Sequence, residues 1–156
     1  MNEQIYNSFD AIAKKKRIFK LETIGDYYVA AAGLPEARED YAVAMARFVH
    51  DCHNKMNSVV KKLEVLLGPH AADLTMRLGL HSGPGTAGVL RGEKSRFQLF
   101  GDTVNTAARM ESTGARNKIH ISQATADLLL KAEKGDWVKK RESLVSAKGK
   151  GLMQTY

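Results

Sequence analysis

One cysteine, Cys52, stands in a chain of 156 residues. A lone thiol forms no intramolecular disulfide, and no Cys/His group has metal-ligand spacing, so disulfide scaffolds and zinc modules are excluded. Long apolar runs are also missing. The longest falls far short of the roughly 20 residues needed to span a bilayer. The first residues, MNEQIYNSFDAIAKKK, are polar and mixed, unlike a signal peptide. No repeat, low-complexity tract or linker divides the chain, so residues 1–156 are expected to form one domain. There is no G-x-x-x-x-G-K-[ST] string, which excludes P-loop chemistry.

What the chain does have is enough apolar material for a core and an excess of positive charge. Hydrophobic residues make up 44%, and 24 Lys and Arg against 17 Asp and Glu leave a formal charge of +7. That excess suits an anionic partner such as a nucleoside triphosphate, a nucleic acid or a membrane surface. Charge alone does not choose among them. The basic residues lack the aromatic interleaving that stacks bases, which argues against a nucleic-acid module. Lys14–Arg17 reads as the solvated end of a helix bearing Ile5, Phe9, Ile12 and Ala13 at helical spacing.

Ile18–Ile24 and Tyr27–Leu34 read as strands of a hairpin turned by Gly25-Asp26. A long helix is predicted from Tyr41 to Leu67, with an apolar stripe through Met45, Phe48, Val49, Cys52, Met56, Val59, Val60, Leu63 and Leu67. Cys52 on that stripe reads as a buried structural thiol. Leu74–His81, Thr86–Leu90 and Arg96–Leu99 are strand candidates. Thr103–Ser112 is predicted helical, Lys118–Ser122 extended, and the stretch after Gln123 helical through Leu130. Trp137–Glu142 and Leu152–Tyr156 are expected to close the chain as strands. Hairpins mixed with crossover helices imply an α+β fold, helices on an antiparallel-rich sheet. A ferredoxin-like unit opens on a strand, whereas this order opens on a helix. A further strand is therefore expected upstream.

Gly83-Pro84-Gly85-Thr86-Ala87-Gly88 matches G-x-G-x-x-G, but no helical stripe follows it. A dinucleotide fingerprint needs that helix, so a glycine turn is the better account. His81, at a strand end without partners at ligand spacing, reads as structural. The string from Phe97 to Ser112 is different. A strand ends at Phe100, Gly101-Asp102 turns the chain, and a helix begins near Thr103. Asn105 and Arg109 are spaced i, i+4 and so share one helix face. An amide beside a guanidinium suits sugar and phosphate oxygens.

Read whole, Phe97-Gln98-Leu99-Phe100-Gly101-Asp102-Thr103-Val104-Asn105-Thr106-Ala107-Ala108-Arg109-Met110-Glu111-Ser112 resembles the signature of class III adenylate and guanylate cyclases. The resemblance continues in Phe19–Asp26, Leu78–Pro84, Lys118–Ser122 and Lys148–Gly151, in matching order, and so covers nearly the whole chain. It implies a ferredoxin-like nucleotide cyclase fold and the conversion of a nucleoside triphosphate to a cyclic 3′,5′-nucleotide and pyrophosphate. In that family the site lies between two catalytic domains packed head to tail, as a homodimer or heterodimer. Two divalent cations, Mg²⁺ or Mn²⁺, bridge aspartates and phosphates.

Residue by residue, the resemblance makes Asp26 a metal ligand, Asn105 the ribose-positioning residue and Arg109 the arginine facing the reacting phosphate. Lys148 becomes the lysine that reaches the terminal phosphates. Glu22 and Gln98 stand where the family reads the base. Glu22 is an acceptor suited to the N1–H and N2–H of guanine, and the Gln98 amide donates to guanine O6. Against adenine, Glu22 would face an acceptor, and an unsatisfied buried group costs about 1–3 kcal/mol. Adenylate-type members carry lysine and aspartate at these positions, so GTP is the expected substrate and ATP the alternative. Gln98 replaces the usual Cys or Ser of guanylate-type members, and Gly85 replaces the apolar residue usual after Gly-Pro.

The family's first metal aspartate, in a D-I-x-G-F strand, has no counterpart here, and Asp10 lacks the flanking motif. The resemblance therefore implies a polypeptide that is weakly active or inactive by itself, or a non-catalytic partner half-domain. It also implies a cytoplasmic location with no membrane contact by this segment, whether or not a longer parent is membrane-anchored.

Overall fold

A computed structural model describes residues 2–24, 27–33, 39–70, 75–83, 86–90, 96–100, 102–147 and 151–156. They fall into two units, Met1–Met76 and Arg77–Tyr156.

The first unit opens with α1 (Asn2–Lys16), followed by the antiparallel strands β1 (Phe19–Ile24) and β2 (Tyr27–Ala31), then α2 (Tyr41–Leu67). The apolar spacing in α1 puts Ile5, Phe9 and Ala13 on one buried face, and α1 packs on α2, where Phe48, Val49, Cys52 and Met56 are buried. Lys16 at the end of α1 pairs with Asp51 of α2 at 3.1 Å. α1 stops where Arg17 takes a φ of 57°. Ile18 N–H then donates to the Ala13 carbonyl and Arg17 N–H to that of Lys14, the bond pair that closes a helix on a left-handed residue.

The predicted bounds of α2 match. Its stripe, however, is buried only as far as Met56, and Leu67 is 71% exposed together with Val65 and Leu66. Cys52 is buried, and loss of hydration, with a smaller push from Asp51, raises its thiol to about 12. It is an inert core residue at neutral pH, as expected.

In the second unit, β3 (Leu78–Leu80) runs parallel to β6 (Ile119–Ile121), and β4 (Thr86–Leu90) pairs antiparallel with β5 (Arg96–Phe100). β4 begins at Thr86, inside the G-x-G-x-x-G string, where a dinucleotide fingerprint would need a helix. α3 (Asp102–Thr113) follows β5 and packs on β3. α4 (Gln123–Lys131) is capped by the Ser122 hydroxyl, which accepts from Thr125 N–H at 3.4 Å. The short strands β7 (Val145–Ala147) and β8 (Gly151–Met153) form a last hairpin.

Trp137–Glu142 is not a strand. Gly135–Trp137 forms a short 3-10 turn after α4, closed by Trp137 N–H on Lys134 O and Val138 N–H on Gly135 O. The Trp137 ring takes the Lys134 ammonium at 5.3 Å instead of a cross-strand neighbour. The strand comes later, where Val145 supplies a buried apolar residue. Leu152–Tyr156 is likewise extended only in part: beyond Met153, Thr155 bridges Ser122, and Tyr156 exchanges backbone bonds of 3.0 and 2.9 Å with Ile121. Helices with mostly antiparallel strands make this an α+β protein, as the sequence predicts.

Candidate active site

Helix α3 carries two of the candidate site residues, Asn105 and Arg109. Thr106 and Met110, spaced i, i+4, are 2% and 0% exposed and form the buried face. Asn105 is exposed and Arg109 half-buried, one turn apart on another face of the same helix. The amphipathic pattern thus anchors α3 by one stripe and leaves the amide and guanidinium together beside it. Gln98 lies on β5 opposite Gly88, on the strand that leads into α3. Glu22 lies in the first unit, on β1 opposite Val29. Asp26 and Lys148 lie outside the described residues, although the strands flanking each are described.

The carbonyls at the C-terminal end of α3 would be orphans without outside donors. Thr113 Oγ1 donates to the Arg109 carbonyl at 2.6 Å, and Ser112 Oγ donates to it at 3.2 Å. His120 Nδ1 donates to the Met110 carbonyl at 2.8 Å, and Arg141 Nη1 donates to that of Thr113 at 2.9 Å. A carbonyl only accepts, so His120 carries its proton on Nδ1. Its Nε2 then accepts from Thr155 Oγ1 at 2.7 Å and from Arg141 Nη1 at 3.3 Å. This buried clamp fastens the helix that carries Arg109 to residues on either side of the paired strands β7 and β8. No local pattern in the sequence signals it. Only the membership of His120 in the Lys118–Ser122 block hinted at a role.

Burial lowers the pKa of His120, with Arg141 also lowering it, while the Met110 carbonyl pulls the other way. The unfolded chain therefore takes the proton first, near pH 6.5. Stability from this group is complete above that pH and is lost as pH falls toward the depressed folded value. Urea unfolding at pH 7.5, 6 and 5 is expected to show a falling midpoint, and His120→Asn a flatter profile. Equal slopes for both proteins would remove His120 from the account.

His81, at the end of β3, meets Ser122 Oγ through Nδ1 at 2.7 Å, and Ser82 meets Thr125 at 2.9 Å. These contacts tie β3 to the start of α4, so His81 is structural, as expected. Among the described residues, no group of three or more His, Cys, Asp or Glu is placed to hold a metal ion. Nor is any helix among them long and apolar enough to cross a membrane.

The model of the adenylate and guanylate cyclase catalytic domain matches residues 1–156. The chain belongs to this family. A receptor-type guanylate cyclase of Caenorhabditis elegans is 43% identical over 152 residues, 97% of this chain and 11% of that protein. The guanylate cyclase soluble subunit beta-2 of Rattus norvegicus is 37% identical over 156 residues, all of this chain and 22% of that protein. The chain thus spans less than a quarter of either relative. Among solved structures, the guanylate cyclase domain of RhGC from Catenaria anguillulae, in complex with GTP, aligns with a TM-score of 0.80 and 39% identity. That alignment covers 99% of this chain and 79% of the RhGC chain. The nucleotide cyclase fold implied by the sequence is therefore the fold of this chain.

Proposed function

We propose that the chain is the catalytic part of a guanylate cyclase that converts GTP to cyclic GMP and pyrophosphate, in cytoplasmic signal transduction. The observation that carries this reading is the shared face of α3, where Asn105 and Arg109 stand one turn apart just beyond β5 and Gln98. In the reaction, the ribose 3′-oxygen bonds to the α-phosphorus as that phosphorus parts from the bridging oxygen of pyrophosphate. The 3′-hydroxyl proton passes to solvent, and the electron pair of the broken P–O bond departs with pyrophosphate.

Asn105 holds the ribose by its amide. Arg109 offers a rigid fork of donors to the reacting phosphate and offsets the charge that builds there. Lys148 pairs with the terminal phosphates. Glu22 and Gln98 read the guanine edge. Asp26 is a hard oxygen donor of the kind Mg²⁺ or Mn²⁺ prefers, and such an ion, when bound with carboxylate ligands beyond this one, neutralises triphosphate charge. The exposed position of Asn105 suits a site completed by a second cyclase domain, a copy of this chain or a different one.

The test combines the chain with a cyclase domain that supplies its own metal aspartates, with Mn²⁺ and either GTP or ATP. Cyclic GMP is the expected product, and preference for ATP would sink the guanylate assignment. Glu22→Lys with Gln98→Asp is expected to shift the GTP:ATP ratio toward ATP by about tenfold or more, since each mispaired base-edge group costs ~1–3 kcal/mol.

A further inference from the structure

We propose that Asp10 is a positioning residue for base selection, stapling the irregular stretch of β1 on which Glu22 sits; this rests on the guanine reading of Glu22 above. β1 and β2 do not pair regularly. Lys20 stands opposite Ala30, but Glu22 stands opposite Val29, so Leu21 is an extra residue on β1. Such a bulge bends the strand and re-aims the residues around it, and the ladder alone does not fix their direction.

Asp10, on α1, reaches both flanks of this irregularity with one carboxylate. Its Oδ2 accepts from Lys20 Nζ at 3.1 Å, on the last residue before the extra one. Its Oδ1 accepts from the Tyr28 hydroxyl at 2.7 Å, and Tyr28 pairs with Thr23, the residue after Glu22. The Lys20 ammonium also lies 5.5 Å from the centre of the Tyr28 ring. The ring is set in place by Phe9, edge-on at 5.6 Å, and by Tyr6 and Phe48. Burial, and then the bond to Asp10, hold the Tyr28 hydroxyl well above its ordinary pKa, so it remains a donor.

An exposed lysine–aspartate pair contributes little alone. The hydroxyl–carboxylate bond is charge-assisted and directional, and it draws its geometry from the aromatic cluster. Together they fix how β1 leaves its bulge. Loss of the staple leaves the strand paired but its backbone beyond the bulge free to shift, and with it the position of Glu22 on β1. Selection between bases suffers, while attraction for the triphosphate, which depends on other residues, does not.

The experiment measures dissociation constants of the full chain for GTP, ATP and inorganic tripolyphosphate by competition against a fluorescent nucleotide. Wild type, Asp10→Ala, Tyr28→Phe and Met56→Ala are compared, the last a buried core variant of the same unit, eight residues along α2 from Phe48. Expected is a fall of about tenfold in the GTP:ATP affinity ratio for Asp10→Ala and Tyr28→Phe, as for one mispaired polar group, with tripolyphosphate binding unchanged. Met56→Ala is expected to keep the wild-type ratio. A wild type without GTP preference defeats the guanine reading itself. A wild type that prefers GTP, with Tyr28→Phe folded and its ratio unchanged, overturns the staple alone. A ratio that falls equally in Met56→Ala also overturns it, by reducing the effect to general loosening.

Discussion

Gly79→Ala is expected to destabilise the protein by about 3 kcal/mol or more, at or beyond the upper end of ordinary overpacking. Gly79 is the middle residue of β3, against the backbone of Met110 and Glu111 on α3. A methyl group there would stand 2.6 Å from the Met110 carbonyl carbon and 2.7 Å from Glu111 Cα, and would collide with the Glu111 nitrogen. All three are backbone atoms, so no side chain can rotate away. The contrast is Gly151, with a φ of +69° and open space around it, where the constraint is conformational. To admit the methyl, α3 must lift from β3, and Met110, now fully buried, loses its contacts. The same lift carries Arg109 with it and strains the His120 bond to the Met110 carbonyl. Thermal or urea unfolding measures the loss, and a drop below about 1 kcal/mol would mean that α3 sits less closely on β3 than described.

The elements that were legible in the sequence share one property: the signal that defines them is local. The helical period of α2 is written in the chain between Tyr41 and Leu67, and the two runs on either side of Gly25-Asp26 pair as β1 and β2. The i, i+4 spacing of Asn105 and Arg109 required only that α3 be a helix. The features that were missed depend on residues far apart in the chain. His120 finds Met110 ten positions away, Arg141 at twenty-one and Thr155 at thirty-five. No periodicity encodes such a meeting. Asp10 carries no local signal of its contacts, because its partners, Lys20 and Tyr28, are gathered only once α1 packs beside the hairpin. The false strand at Trp137–Glu142 failed for the opposite reason. Its residues suit a strand, but Gly135 and Asp136 let the chain close a 3-10 turn on the end of α4 before any partner strand is met.

Assayed with a cyclase domain that supplies its own metal aspartates, Arg109→Ala is expected to lower the turnover of GTP by ~10²–10³-fold, the scale on which loss of one preorganised donor acts. The argument starts from how the residue is held. Its carbonyl takes bonds from Thr113 and Ser112, its neighbour Met110 is buried, and the end of its helix is clamped by His120 and Arg141. The backbone of Arg109 is therefore fixed before any nucleotide arrives, and little reorganisation is needed when charge builds on the phosphate. A donor of this kind stabilises the transition state more than the bound substrate, so the loss should fall on kcat with KM for GTP little changed. Arg109→Lys keeps the charge but not the planar fork, and it should recover only part of the rate. Asn105→Ala, which removes a ribose contact made from the start of binding, should instead raise KM. The two variants on one helix face are thus expected to separate kinetically. If Arg109→Ala weakened GTP binding and left kcat intact, the guanidinium would be a binding group only, and the charge-stabilising role assigned to it would be wrong.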